Sequence, residues 1–92
     1  MKFCLIIART RETREKVRRR LDEAGLLSAE AEDGKTAFVA CQAVMPDIII
    51  VGSDAPDIDQ EDFTRKIKSL KRSKKTLILD LNEFTARSAR AI

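Results

Sequence analysis

The residues best placed for chemistry in this chain follow its most apolar stretch. Ile48 to Val51 is an uninterrupted run of β-branched residues, which is typical of a strand buried on both faces of a parallel sheet. Gly52, Ser53 and Asp54 come directly after this run. Ligands bind outside the carboxyl ends of such strands, so the sequence places a carboxylate, Asp54, where it could accept or orient a reacting group.

Two more charged residues are expected at the same edge of the sheet. Arg9 follows the apolar run that begins at Phe3, and Asp80 stands near the end of the last apolar run. Because parallel strands end at one edge, we consider an ion pair between Arg9 and Asp80, joined by Asp54. The alternative is that these side chains are solvated independently, since exposed ion pairs contribute under about 1 kcal/mol.

Strands and helices alternate along the whole sequence. This order implies right-handed crossovers and a parallel sheet that is covered by helices on both faces. Strands are predicted at 2–8, 26–32, 47–51 and 76–81, and helices at 11–24, 35–45, 62–70 and 83–91.

Local signals mark where several of these helices begin and end. Thr10 and Asn82 are predicted N-caps, because their side-chain oxygens can accept an unpaired amide of the first helical turn. Gly25 is predicted to end the first helix in the left-handed conformation, and Pro46 to stop the second. The apolar helix faces are predicted to contain Val17, Leu21 and Ala24; Ala37, Phe38, Cys41, Val44 and Met45; Phe63, Ile67 and Leu70; and Phe84, Ser88 and Ala91.

Composition restricts the class of protein. Ninety-two residues predict one small domain, and a net charge of +3 with a pI of about 9.1 permits an acidic partner without requiring nucleic acid. No apolar run approaches the roughly 18 residues of a membrane span, so we expect a cytoplasmic protein that does not contact membranes. Cys4 and Cys41 lie in apolar patterns and are predicted to be buried thiols, without a disulfide or a metal site.

Several of these segments together resemble the receiver domain of two-component response regulators. They are the stretch from Gly25 to Gly34, Ala37, the stretch from Pro46 to Val51, and the stretch from Pro56 to Asp59. The resemblance implies an α/β, flavodoxin-like, three-layer fold. In this chain it predicts a four-stranded parallel sheet in the order 2-1-3-4, with helices on both faces and without the fifth strand–helix unit.

The resemblance also implies where a receiver's phosphorylation groups would stand. The aspartate that accepts the phosphoryl group falls on Gly52, and the acidic pair that binds Mg²⁺ falls on Ala8 and Arg9. The Ser or Thr that contacts the phosphoryl oxygens falls near Asp80, and the lysine belongs to the missing unit. We therefore predict a degenerate phosphorylation pocket made of Ala8, Arg9, Gly52, Ser53, Asp54 and Asp80.

This pattern predicts a pseudo-receiver that cannot be phosphorylated, is not an enzyme and uses no cofactor. It would act in signal transduction by binding a protein partner or a second copy of itself. An open apolar edge on the last strand favours a homodimer, including one formed by exchange of an element. The candidate interface comprises Phe63, Ile67, Thr76, Ile78, Asp80 and Phe84.

Two other functions stay open at the level of sequence. One is an atypical receiver that accepts a phosphoryl group on Asp54. The other is a small basic regulator that binds nucleic acid, which we expect less because acids alternate with the basic residues of the first helix and no aromatic platform accompanies them. The basic residues concerned are Arg11, Arg14, Arg18, Arg19, Arg20, Lys66, Lys68, Lys71, Arg72, Lys74 and Lys75.

Overall fold

Four parallel strands form a single sheet in the order β2-β1-β3-β4. The computed structural model describes residues 2–52, 59–70 and 75–85. β1 pairs with both β2 and β3, and Leu5 lies between Ala29 and Ile49 in the register. The predicted fold and strand order are confirmed. The strands are β1 (Phe3–Ile7), β2 (Leu27–Ala31), β3 (Ile48–Val51) and β4 (Leu77–Asp80).

Within the described residues, three complete helices connect these strands, and a fourth begins directly after β4. The first helix ends as the sequence predicts, because Gly25 adopts a φ of 76° and the amide of Leu26 donates to the carbonyl of Leu21 at 2.9 Å. The helices are α1 (Arg11–Glu23), α2 (Gly34–Ala43), α3 (Gln60–Lys68) and α4, whose described part is residues 81–85.

The sheet separates two hydrophobic clusters. Leu5, Ile7 and Ile49 face α2 and α3, whereas Cys4 and Ile6 belong to the cluster on the side of α1. This division explains why β1 and β3 are almost continuously apolar: alternate residues of these two central strands enter different cores. The first turns of α4 pack on the α1 side through Leu81 and Phe84.

Several details of the predicted helices are wrong, including the bounds of the second and third helices. Ala24 and Val44 are exposed rather than in the core, Val44 by 62%, because α2 has already ended and Val44 is in an extended conformation. The final helix begins at Leu81 rather than Glu83, and Asp80 caps it instead of Asn82. Ser88 and Ala91 lie outside the described residues.

The two cysteines are free and buried, in agreement with the sequence prediction. Burial raises the pKa of the Cys41 thiol to about 11. It also raises the pKa of Cys4, with a smaller contribution from the negative charge of Asp47. Neither thiol is therefore activated as a nucleophile. Within the described residues, no helix has the length and apolar character needed to cross a membrane.

Candidate functional site

The carboxyl ends of β1 and β3 lie side by side at the centre of the sheet. Ile7 is paired with Val51, which places Ala8 beside Gly52. Ala8 is 1% exposed and its amide donates to the carbonyl of Ala31 at 3.0 Å. Gly52 is also buried, and its amide donates to the carbonyl of Ile7 at 2.7 Å. Gly52, at the position predicted for a phosphoacceptor, has only a hydrogen atom as its side chain. Ala8, at one position of the predicted acidic pair, has only a methyl group.

An arginine covers the carbonyl groups that follow β1. Nη1 of Arg14 donates to the carbonyl oxygens of Ala8 at 2.7 Å and Arg9 at 3.0 Å. Nε of the same guanidinium donates to Oε1 of Glu30 at 3.1 Å. The Arg14 side chain is only 16% exposed. A cation that belongs to α1 therefore joins the end of β1 to β2.

The role of Arg14 was missed at the level of sequence, where it counted only as one of several basic residues. Its partner Glu30 is 16 residues away, so no local pattern connects them. Arg18, one turn after Arg14, also lies 3.7 Å from a Glu30 oxygen. One signal in the sequence could have indicated this contact. Arg14 and Arg18 are four residues apart and so share one face of the helix, from which both can reach an acid in an edge strand.

Asp80 is used as a helix cap. Its Oδ1 accepts the amide of Glu83 at 2.7 Å, and its own amide donates to Oε1 of Glu83 at 3.4 Å. This reciprocal arrangement satisfies the start of α4. The ion pairs of the described residues do not join Asp80 to Arg9. The predicted sites Ser53 and Asp54 lie outside the described residues.

The same use of polar side chains recurs after the other strands. Thr10 accepts the amide of Thr13 at the start of α1. Asp33 accepts the amide of Thr36 at 2.7 Å, and Asp59 accepts two amides of the first turn of α3. The side-chain and backbone hydrogen bonds from Thr36 lower the pKa of Asp33. Each of these oxygens serves the amides of its own helix, so the described caps do not converge on a ligand.

The predicted interface residues have different environments. Phe63, Ile67 and Thr76 are 6%, 0% and 5% exposed, so their side chains belong to the core and the prediction that they form a surface is wrong for the folded monomer. Ile78 and Phe84 are half-buried at the outside of their clusters. Leu77, at the start of β4, was not predicted and is 40% exposed.

A groove of about 620 Å³ lies between the first turns of α2 and α3. Phe38, Val39 and Phe63 supply its apolar surface. Its carboxylates are already engaged, because Asp59 caps α3 and Asp62 pairs with Lys66 at 3.3 Å. The groove therefore suits an apolar group better than an ion.

Comparison with known proteins relates this architecture to one group of folds. No protein-family model and no curated protein matches the sequence. Among solved structures, the chemotaxis response regulator CheY4 of Vibrio cholerae matches with a TM-score of 0.79 and 23% identity, over 99% of this chain and 79% of that one.

Two further solved structures agree. A CheY-like response regulator receiver domain from Methylobacillus flagellatus has a TM-score of 0.79 and 16% identity, over 87% of this chain and 68% of the other. The receiver domain of Francisella response regulator 1452 has a TM-score of 0.72 and 17% identity, over 99% and 78%. At these identities the similarity establishes the fold: this chain has the fold of response-regulator receiver domains.

Proposed function

We propose that this chain is a signalling module that uses the receiver fold without phosphorylation and acts by binding protein. The carboxyl ends of β1 and β3 support this proposal most directly, because Gly52 and Ala8 stand where a phosphoryl acceptor and a metal ligand would be needed. Phosphoryl transfer depends on a positioned nucleophile and on cations that neutralise the phosphoryl oxygens. Among the described carboxylates at this edge, Asp33, Asp59 and Asp80 each cap their own helix.

Incubation with acetyl phosphate and Mg²⁺, followed by intact-mass measurement, tests the absence of phosphorylation. We expect no added phosphoryl group, and no change in the amide spectrum on addition of Mg²⁺ with beryllofluoride. The control is a receiver domain that has a phosphoacceptor aspartate and an acidic pair for Mg²⁺. It is treated in the same mixture and should gain the mass of a phosphoryl group. A phosphorylated product that disappears in the Asp54→Asn variant would replace our proposal with an atypical receiver that uses Asp54.

We further propose that the chain associates with a second copy of itself along β4. In the described part of the chain, β4 pairs with β3 on one side and has no strand on the other. Leu77 is exposed and Ile78 half-buried in this strand. A two-fold axis beside β4 would pair the two edges and bury these residues, which is a common way to protect an open edge.

Light scattering across a concentration series tests this association. We expect a dimer at high micromolar concentration, and a monomer for Leu77→Lys because an ammonium group would be placed in the paired edge. Val39→Lys is the matched control, since Val39 is 60% exposed on α2, away from β4. A monomeric wild-type chain at these concentrations contradicts self-association. A dimer that persists in Leu77→Lys contradicts the β4 contact and points instead to exchange of an element.

Nucleic acid is a weaker candidate partner. Several cations of the two basic helices already have carboxylate partners, including Arg11 with Glu15 and Lys16 with Glu12. In α3, Arg65 and Lys66 share Asp62. Such pairing lowers the positive potential available to phosphates. Retention on DNA that falls steeply with salt would contradict this ranking.

A further inference from the structure

One arginine of α1 has surroundings unlike those of the others. Arg11 and Arg14 both donate from Nε to a glutamate Oε1, at 3.2 and 3.1 Å. The Arg11 side chain is 83% exposed and its partner is one turn away on the same helix. The Arg14 side chain is 16% exposed, and its partner Glu30 is in a different element. The same chemical pair is therefore a surface contact in one case and a contact between elements in the other.

The oxygens around Arg14 are of the kinds that hard cations prefer. Two are the backbone carbonyls of Ala8 and Arg9, and the third is the carboxylate of Glu30. Carbonyl and carboxylate oxygens are typical ligands of Mg²⁺ and Ca²⁺. Here the planar guanidinium satisfies them with directed hydrogen bonds, and its charge opposes the approach of a second cation.

We propose that Arg14 is a resident cation, which holds the carboxyl end of β1 in one arrangement and excludes divalent cations from it. This inference rests on the proposed phosphorylation-independent function and specifies how the edge is kept in a single state. A bound metal can dissociate and an acidic pair can be protonated, whereas a guanidinium stays charged at all physiological pH values. The edge is therefore fixed by the chain itself and does not respond to divalent metal ions.

Glu30 completes the arrangement by receiving two guanidinium groups. Arg14 lies 3.1 Å from one of its oxygens, and Arg18 lies 3.7 Å from the other. In β2, Glu30 is paired with Ile6 of β1 and so points to the α1 side of the sheet. The triad fastens α1 to the edge strand at the level where the loop after β1 begins. Arg14 is the member that also contacts that loop.

Amide hydrogen exchange of the wild type, Arg14→Met and Arg11→Met tests the role of Arg14. Methionine keeps much of the apolar side-chain volume and removes the donors. We expect exchange of the residue 8–10 amides to become about tenfold faster in Arg14→Met, since hydrogen bonds to charged groups contribute more than neutral ones. Arg11→Met should leave it unchanged, because the Arg11 pair is exposed. Equal effects of the two substitutions would overturn the proposal.

Glu30→Gln gives a second route if Arg14→Met unfolds the chain. The amide keeps one acceptor oxygen and the shape of the side chain, so we expect a smaller increase in exchange at the same amides. A Glu30→Gln protein that exchanges as slowly as wild type at residues 8–10 would overturn the role of the triad.

A MgCl₂ titration followed by NMR tests the exclusion of cations. We expect the amide signals of Ala8, Arg9 and Gly52 to stay in place in the wild type. Saturable shifts of these three signals would overturn the proposal. Failure of the proposed function is a separate result, because phosphorylation by acetyl phosphate would appear in the mass of the protein whatever the exchange rates of residues 8–10.

Discussion

The two edges of the sheet use their polar groups over different distances along the chain. At the edge where the strands begin, hydrogen bonds join segments far apart in sequence. The amide of Phe3 donates to Oδ2 of Asp47 at 2.8 Å, and the hydroxyl of Thr76 donates to the carbonyl of Pro46 at 2.8 Å. At the edge where the strands end, the described caps bond residues only two or three positions away.

The polar side chains at the two edges therefore have different roles. Those where the strands begin join distant segments of the fold, whereas the caps where the strands end stabilise single helices. Side chains at the first edge fix β3 against β1 and the segment before β4 against the segment before β3. Side chains at the second edge each stabilise one helix start, which is worth about 1 kcal/mol. The second edge is also where ligands bind in folds of this type. Its carboxylates Asp33, Asp59 and Asp80 serve as caps, whereas Arg14 and Arg18 of α1 contact Glu30 in a different element, β2.

The largest expected effect belongs to the first edge. Thr76→Val removes a buried hydroxyl at constant shape and leaves the carbonyl of Pro46 without this donor. We expect the free energy of unfolding in urea to fall by about 1–3 kcal/mol, the usual result when a buried polar group loses its partner. Thr76→Ser retains the hydroxyl and should recover most of the loss. Equal losses for Val and Ser would show that packing, and not the hydrogen bond, is important at this position.

A smaller effect is expected at the second edge. Asp80→Ala removes the cap of α4, and we expect a loss of about 1 kcal/mol in the same measurement. Asp80→Thr keeps an oxygen that can cap and should lose less than Asp80→Ala. If Asp80→Ala lowered the free energy of unfolding as much as Thr76→Val, local helix caps would contribute as much to stability as hydrogen bonds between distant segments, contrary to our comparison.

The smallest effect depends on pH. Hydrogen bonds from Thr36 lower the pKa of Asp33 in the folded chain below its unfolded value of about 3.9. The extra stability is therefore present above that value and is lost as pH falls through the folded pKa. Asparagine also caps a helix but does not titrate. We therefore expect the difference in the free energy of unfolding between the wild type and Asp33→Asn to become smaller as the pH falls from neutral to about 3. If the urea midpoints of the wild type and Asp33→Asn differed by the same amount at both pH values, the lowered pKa of Asp33 would not contribute to stability.

The strands and several helix ends were predictable because their signals are local. Thr10, Gly25 and Pro46 act on their immediate neighbours, and the structure confirms the N-cap, the left-handed turn and the end of α2 before the proline. Asp80 and Asn82 are both good caps in sequence terms. The choice between them depends on where β4 leaves the sheet, which is fixed by the pairing of Asp80 with Val51.

The candidate site and interface were less predictable because they depend on which elements pack together. The sequence predicts Phe63 and Ile67 both on the apolar face of the third helix and in a candidate interface, and in the structure they fill the space between α3 and the sheet. Thr76 is buried although its sequence neighbours Lys75 and Leu77 are exposed. Its buried hydroxyl donates to the carbonyl of Pro46, a residue 30 positions away.

The sequence by itself determined that three apolar runs and one alternating segment would be strands, that they would alternate with helices, and that Ala8 and Gly52 would follow the two central strands. Apolar content and the identity of a single residue are properties that no packing can change. Only the tertiary structure decided that Asp80 caps a helix and that Arg14 binds the end of β1 and Glu30. Those roles require α1 to lie across β2 and β4 to stop at one register position. Both conditions follow from the whole sheet and not from any one segment.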